Sequence, residues 1–188
     1  VKVGPGGQIR VDKHQRTSQP HIWALGDVSS DRLLKHVANA EARTVAANLL
    51  IDGGELAATD HRYIPHAVFT EPQIAAVGAT EEQLQEWGTP YVEFKQRYAD
   101  VAFGWALEDE GHFVKLLADP RTWHLLGAHI IGPQAATLIQ PMIQAMSFGQ
   151  TVQELARGQY WIHPALPEVL ENALLGLLKA PRPKELDA

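Results

Sequence analysis

The sequence predicts an α+β fold, an antiparallel sheet with flanking helices, preceded by a short α/β segment. Three features predict it. Between His66 and Ile131, short β-type runs alternate with turn residues. From Gln134 onward, apolar residues recur at helical spacing instead. Ahead of His66, one apolar run closes on Gly26-Asp27, a helical stretch follows, and the polar, glycine-containing stretch 52–62 separates both from the rest. This order sets residues 1–62 apart from 63–188. It leaves the smaller segment too few strands for a doubly wound sheet of its own.

Composition narrows the function. The chain has 188 residues, 45% hydrophobic and 20% charged, so it can bury a core. A net charge of −6 without any Lys/Arg cluster argues against nucleic-acid binding. No apolar run has the length of a membrane span, and no secretory leader is visible, so a cytoplasmic protein is expected. The chain has no cysteine, which removes disulfides, thiolate metal sites and thiol nucleophiles from its own chemistry. It begins at Val1 rather than Met, which reads as a piece of a longer protein.

In the first segment, Val1-Lys2-Val3 and Gln8-Ile9-Arg10-Val11 flank the turn Gly4-Pro5-Gly6-Gly7 and predict a hairpin. His21 to Leu25 has the length of a buried strand. It ends in Gly26-Asp27, where a glycine admits a ligand close to the backbone and an aspartate can accept from polyol hydroxyls. By itself this turn is common in proteins that bind nothing. A helix is predicted from about Leu34 to Leu50, with Val37, Ala38, Val45, Leu49 and Leu50 as its apolar positions. Its first turn, at Leu34, Lys35 and His36, offers N–H groups suited to a carbonyl or anion.

In the second segment, 66–70 and 73–78 read as strands around the turn Glu71-Pro72. Thr80-Glu81-Glu82-Gln83 is a capping box opening a helix that stops at Gly88. Tyr91 to Tyr98 alternates in period two, 99–110 reads as a loop, and 112–118 and 123–131 form a hairpin about Asp119-Pro120-Arg121-Thr122. One helix is predicted over 134–148, kinked or locally broken near Pro141 and ended by Gly149. Thr151-Val152-Gln153-Glu154 is a second capping box. The last helix carries a stripe of Leu166, Val169, Leu170, Ala173, Leu174, Leu177 and Leu178, with Leu175 off it. The tail at Pro181-Arg182-Pro183-Lys184 is expected to fray.

The stretch Gln159-Tyr160-Trp161-Ile162-His163-Pro164-Ala165-Leu166-Pro167-Glu168 lies ahead of that helix. A residue before proline avoids the α region, so His163 should be extended and outside the helix. Pro167 suits the first helical position, which leaves Glu168 in the first turn. From there its carboxylate can reach back to the His163 ring, fix its tautomer and favour its protonated form, as a general acid–base pair requires. On spacing alone, a capped helix entry is the favoured account of the same residues, since single His/Glu pairs are common.

The flanking motifs alter that balance. Thr17-Ser18 through Trp23-Ala24-Leu25-Gly26-Asp27-Val28 resembles the second flavin-binding motif of the pyridine nucleotide–disulfide oxidoreductases. Phe69-Thr70-Glu71-Pro72-Gln73-Ile74-Ala75-Ala76-Val77-Gly78 resembles the start of their dimerisation domain, and His163-Pro164 with Glu168 resembles their catalytic pair. The three motifs follow the family's order and span nearly the whole chain. Tyr98 to Trp105 and Gly158 to Leu177 resemble a branch acting on the disulfide of a low-molecular-weight thiol. The resemblance implies a FAD-binding remnant over 1–62 and a dimerisation (interface) domain over 63–188. It implies an FAD-dependent homodimeric disulfide reductase using NADPH, with FAD absent or partial in this piece. Gly26, Asp27, Leu34, Lys35 and His36 would face FAD. His163, oriented by Glu168, would act across the dimer interface on the other subunit's thiols.

One departure is decisive. The family's redox cysteine pair, its N-terminal glycine-rich motif and its nicotinamide domain are missing, and dithiol exchange needs a thiolate. The chain alone is therefore not expected to turn over. Two other readings stand beside this one. The first is a stand-alone, non-catalytic dimerisation module. The second is another family member, similar to glutathione reductase, mercuric reductase or dihydrolipoamide dehydrogenase. A histidine metal site is disfavoured, because His112, His124 and His129 lack compact ligand spacing. Trp23, Trp105, Trp123, Trp161, Met142 and Met146 are expected to fill core or interface, and Glu171 to be solvated.

Overall fold

A computed structural model describes residues 1–182. The chain divides into two compact units, Val1–His61 and Arg62 onward. The expected fraying at Pro183 and Lys184 lies outside the described residues. Among those residues, no helix is long and apolar enough to cross a membrane.

The first unit is built on α1, Lys35–Leu50. Its strand-like runs are shorter than their patterns suggest. The expected hairpin is a single bridge, Val3 to Ile9, and the run at 21–25 contributes one bridge, Arg16 to Trp23. Gly26–Val28 forms a 3-10 turn against α1. The buried face of α1 also differs from the apolar reading. Val37, Glu41, Thr44, Val45 and Asn48 are buried, whereas Leu49 and Leu50 are exposed. Polar side chains can occupy that face because each is hydrogen-bonded. Asn48 receives Ala57 N–H at 2.7 Å and donates to Ala57 O at 2.9 Å. The Thr59 hydroxyl donates to that of Thr44 at 2.9 Å.

The second unit holds an antiparallel five-stranded sheet. Its strands are β1 (His66–Val68), β2 (Ile74–Gly78), β3 (Val92–Arg97), β4 (Phe113–Ala118) and β5 (Leu125–Ile131). Their spatial order is β1-β2-β5-β4-β3. The register stacks Val77 beside Ala128 and Leu116, and Ala75 beside Ile130 and Val114, so one face is uniformly apolar and buried. The other face carries the row Ala76, His129, Lys115 and Lys95. There the ammonium of Lys115 donates to the carboxylates of Glu81 and Glu93.

Helices cover the apolar face. They are α4 (Ala135–Leu138), α5 (Gln140–Phe148), α6 (Val152–Arg157) and α7 (Glu168–Leu177). The predicted helix over 134–148 is two helices meeting at Ile139, and Pro141 sits near the start of the second, where its missing N–H costs nothing. Gly149 ends it in the left-handed region. Both capping boxes form, at Thr80 with Gln83, opening α2 (Glu81–Glu86), and at Thr151 with Glu154. The stripe on α7 is buried throughout, with Val169, Leu170, Ala173, Leu174 and Leu177 all at 0% exposure. Leu175 is half-buried beside Phe94 rather than free.

The predicted loop 99–110 contains a short helix, α3, Ala102–Ala106. Its pattern was hidden because its residues cover little core. Tertiary contacts form it. Tyr98 is fully buried, its hydroxyl donates to Pro133 O at 3.2 Å, and its ring edge meets His112, whose Nδ1 bonds Asp109. A Cβ on Gly104 would stand 1.9 Å from the Tyr98 carbonyl oxygen. Gly104→Ala must therefore displace backbone, and we expect a loss of roughly 1–3 kcal/mol in urea unfolding. An unchanged midpoint would contradict this packing.

Candidate active-site pair and cofactor-facing turn

The His163 stretch is held from both flanking helices. At the end of α6, Leu155 O accepts from Gln159 Nε2 at 3.2 Å and Ala156 O accepts from Trp161 Nε1 at 3.1 Å. Five residues past Trp161, Leu166 is buried at 4% exposure and pins the chain to the core. Glu168 N bonds Ala165 O and Val169 N bonds Leu166 O, a tight turn that leads into α7. Pro167 precedes the helix in helical geometry, and Glu168 is its first residue. His163 lies outside the helix, in a segment whose His163–Pro164 peptide is cis.

Glu168 reaches back as its place in the first turn allows. Its Oε1 lies 2.7 Å from His163 Nδ1, and its Oε2 accepts from Ala165 N at 3.2 Å. An ionised carboxylate only accepts, so Nδ1 carries the proton and Nε2 is the ring atom left for other partners. The His163 side chain is 68% exposed, while that of Glu168 is 18% exposed. The hydrogen bond from His163, with the Ala165 amide adding to it, holds the Glu168 carboxyl below the usual glutamate range despite some desolvation. The backbone amide of Ala165 is the part of this arrangement that spacing did not reveal.

The first unit carries the other expected site residues. Gly26 is buried, with φ of 68°, and a Cβ there would stand 3.2 Å from the Cβ of Ala38. Its carbonyl accepts from Ser29 N and Ser30 N, both at 2.9 Å. Asp27, next in the turn, is exposed. Leu34 is the extended N-cap of α1 and caps it with no side-chain hydrogen bond, and Lys35 and His36 open the helix on its exposed side. Sequence reasoning missed Glu41, whose Oε2 accepts from Gly26 N at 2.6 Å. Its signal was positional: Glu41 lies four residues from both Val37 and Val45, on the buried stripe. Among the described residues, no group of three or more His, Asp or Glu side chains could hold a metal ion.

Comparison with known proteins agrees with these two units. Residues 64–174 match the profile of the pyridine nucleotide-disulphide oxidoreductase dimerisation domain, and residues 1–44 match that of pyridine nucleotide-disulphide oxidoreductase. The chain is 61% identical over 174 residues to mycothione reductase of Mycobacterium tuberculosis, covering 91% of this chain and 38% of that one. It is 36% identical over 170 residues to dihydrolipoyl dehydrogenase of Mycobacterium bovis, covering 90% and 36%. Among solved structures, it resembles LpdA of Mycobacterium tuberculosis with a TM-score of 0.86 at 27% identity, covering 94% of this chain and 38% of that one. It resembles the HOCl-induced flavoprotein disulfide reductase RclA of Escherichia coli with a TM-score of 0.84 at 27% identity, covering 93% and 40%. The chain thus spans well under half the length of these relatives.

The depressed Glu168 carboxyl gives a signed expectation. A carboxyl depressed in the folded state stabilises that state above its unfolded value, and the contribution is lost as pH falls through the folded value. The ion pair should therefore weaken below roughly pH 4.3. In a carbon-detected NMR titration, Glu168 should titrate below an ordinary glutamate, and His163→Ala should move its midpoint upward. An unmoved midpoint would show that the imidazole is not the cause.

Proposed function

Because this chain belongs to the pyridine nucleotide-disulphide oxidoreductase family, we propose that it is the C-terminal part of an FAD-dependent, NADPH-using disulfide reductase of the mycothione reductase kind. In this reading it supplies an acid–base pair to the active site of a second subunit. The observation that carries the reading is the pair itself. His163 is tethered at Nδ1 by a partly buried carboxylate, with its ring exposed, in a chain that has no thiol to serve. The 61% identity to a mycothione reductase supports the substrate class, the disulfide of a low-molecular-weight thiol.

The chemistry follows from the tether. With Nδ1 committed to Glu168, proton exchange is confined to Nε2. While protonated, the ring would hold the thiolate of the reduced enzyme by charge attraction, and as the substrate disulfide opens it would give its Nε2 proton to the leaving thiolate. Glu168 takes no proton in this scheme; it sets ring orientation. In the first unit, Gly26 and Asp27 with the start of α1 at Leu34, Lys35 and His36 would hold FAD. The positive φ of Gly26 and the exposed Asp27 carboxylate suit a polyol, and the start of α1 suits a carbonyl edge, although the Leu34 N–H is already donated to Arg32 O at 2.7 Å. FAD, when bound, would supply the two-electron link between NADPH and the enzyme disulfide.

A homodimer completes the reading. The matched domain is the one through which this family dimerises. Phe69 and Phe148 are 79% and 80% exposed, more than a lone domain gains by showing, as are Tyr160 and Ile162 beside His163. The lack of cysteine favours one second reading, a dimerisation module without catalysis. A cysteine pair in the same polypeptide would decide against it.

Two measurements test these claims. In light scattering at micromolar concentration, the chain should have twice its monomer mass; a monomer would remove the shared site. In the complete flavoenzyme, His163→Ala should slow reaction of the reduced enzyme with disulfide by about 10²–10⁴-fold while sparing flavin reduction by NADPH. Equal losses in both half-reactions would exclude the acid–base role.

A further inference from the structure

The first unit contains a second glutamate held in the manner of Glu168. Glu41 lies in the interior of α1 and is 2% exposed. Its Oε2 accepts from Gly26 N at 2.6 Å, and its Oε1 lies 3.0 Å from His61 Nε2. A carboxylate so buried is tolerated only when its oxygens are matched by donors. Here the donors are one backbone amide, fifteen positions away, and one imidazole, twenty positions away on a side chain that is 44% exposed.

The amide it holds is the one that sets Asp27. Gly26 is in the left-handed region, and its carbonyl is occupied by Ser29 N and Ser30 N. With its N–H taken by Glu41, both polar groups of the glycine are fixed, so the backbone entering Asp27 has little freedom. Asp27 itself is exposed, so the placement of its side chain depends on that backbone. A charge-assisted bond to a backbone N–H is about twice as strong as a neutral one, so the carboxylate suits a turn that must not drift.

We propose that Glu41 is a positioning residue for flavin retention. It acts through the Gly26 amide to hold Asp27 where it meets the cofactor's polyol, and His61 orients its second oxygen. This rests on the reading of Asp27 as a flavin ligand given above. Glu41 does not touch the cofactor. Its effect passes entirely through the turn, which separates it from a merely stabilising buried acid.

A double-mutant cycle on FAD affinity tests this in the complete flavoenzyme. The apoenzyme is titrated with FAD and the flavin fluorescence followed. Glu41→Ala should raise the Kd about tenfold, and Glu41→Gln, which keeps an acceptor but not the charge, about threefold. In an Asp27→Ala background both effects should vanish, because Glu41 then has no ligand to position. Losses that add to that of Asp27→Ala would overturn the inference in favour of a general structural role, as would a wild-type Kd in Glu41→Ala. If Asp27→Ala itself leaves the Kd unchanged, the reading of Asp27 fails first and the inference falls with it. Should Glu41→Ala not fold, the near-isosteric Glu41→Gln carries the same cycle, and additivity there overturns the proposal equally.

Discussion

The larger unit depends on burial of one face of α7 against the sheet. Val169, Leu170, Ala173, Leu174 and Leu177 lose all contact with solvent there. Each large side chain so buried contributes about 1.5–3 kcal/mol. No interaction at the His163 site is of that size, since an exposed ion pair is worth about 0–1 kcal/mol. The direction of causation follows. The His163–Glu168 contact does not hold the helix; the helix holds Glu168, and Glu168 holds the ring. Leu166, buried just before the helix, fixes the depth at which the chain turns and so the height of His163 above it. Gly176 continues the fit at the other end, where a Cβ would collide with the Phe94 ring of β3.

Both units use a glutamate joined to a backbone amide and an imidazole, at different burial. Glu168 is 18% exposed and its histidine 68%, an arrangement that leaves the ring free to exchange a proton. Glu41 is 2% exposed and its carboxylate is enclosed, an arrangement that immobilises backbone. The shared chemistry therefore does not imply a shared role. What differs is which group is left open to solvent: the imidazole in the first case, and in the second the Asp27 side chain beyond the glycine.

The second unit was largely legible in the sequence because its signals are local. Period-two runs, two capping boxes and the α7 stripe each specify their own element, and the observed strands and helices fall within a residue or two of them. Elements made by tertiary contact were not legible. Helix α3 exists because Tyr98, Gly104, Asp109 and His112 close around one another, and nothing in Ala102–Ala106 shows helical periodicity of its own. In the first unit, the apolar reading of α1 pointed to Leu49 and Leu50, which are exposed, and passed over Glu41, Thr44 and Asn48, which are buried. Hydrophobic patterning assumes that polar residues face water. It fails where a backbone without regular strands needs side-chain partners, as at Gly26, His14 and Ala57.

The same limit explains why reading the His163–Glu168 pair needed more than its spacing. A histidine five residues ahead of a glutamate says only that the two can meet. Whether the contact fixes a ring or merely caps a helix turns on where the second carboxylate oxygen goes. Here that oxygen accepts the Ala165 amide, so the carboxylate is held at two points and cannot rotate to follow the imidazole. A carboxylate capping only the helix would leave the ring to choose its own orientation. One anchored to backbone imposes an orientation on the ring, commits Nδ1, and leaves a single nitrogen for transfer. In the proposed role that selection is the contribution of Glu168: it changes which atom of His163 can act, and the fold of α7 makes the choice permanent.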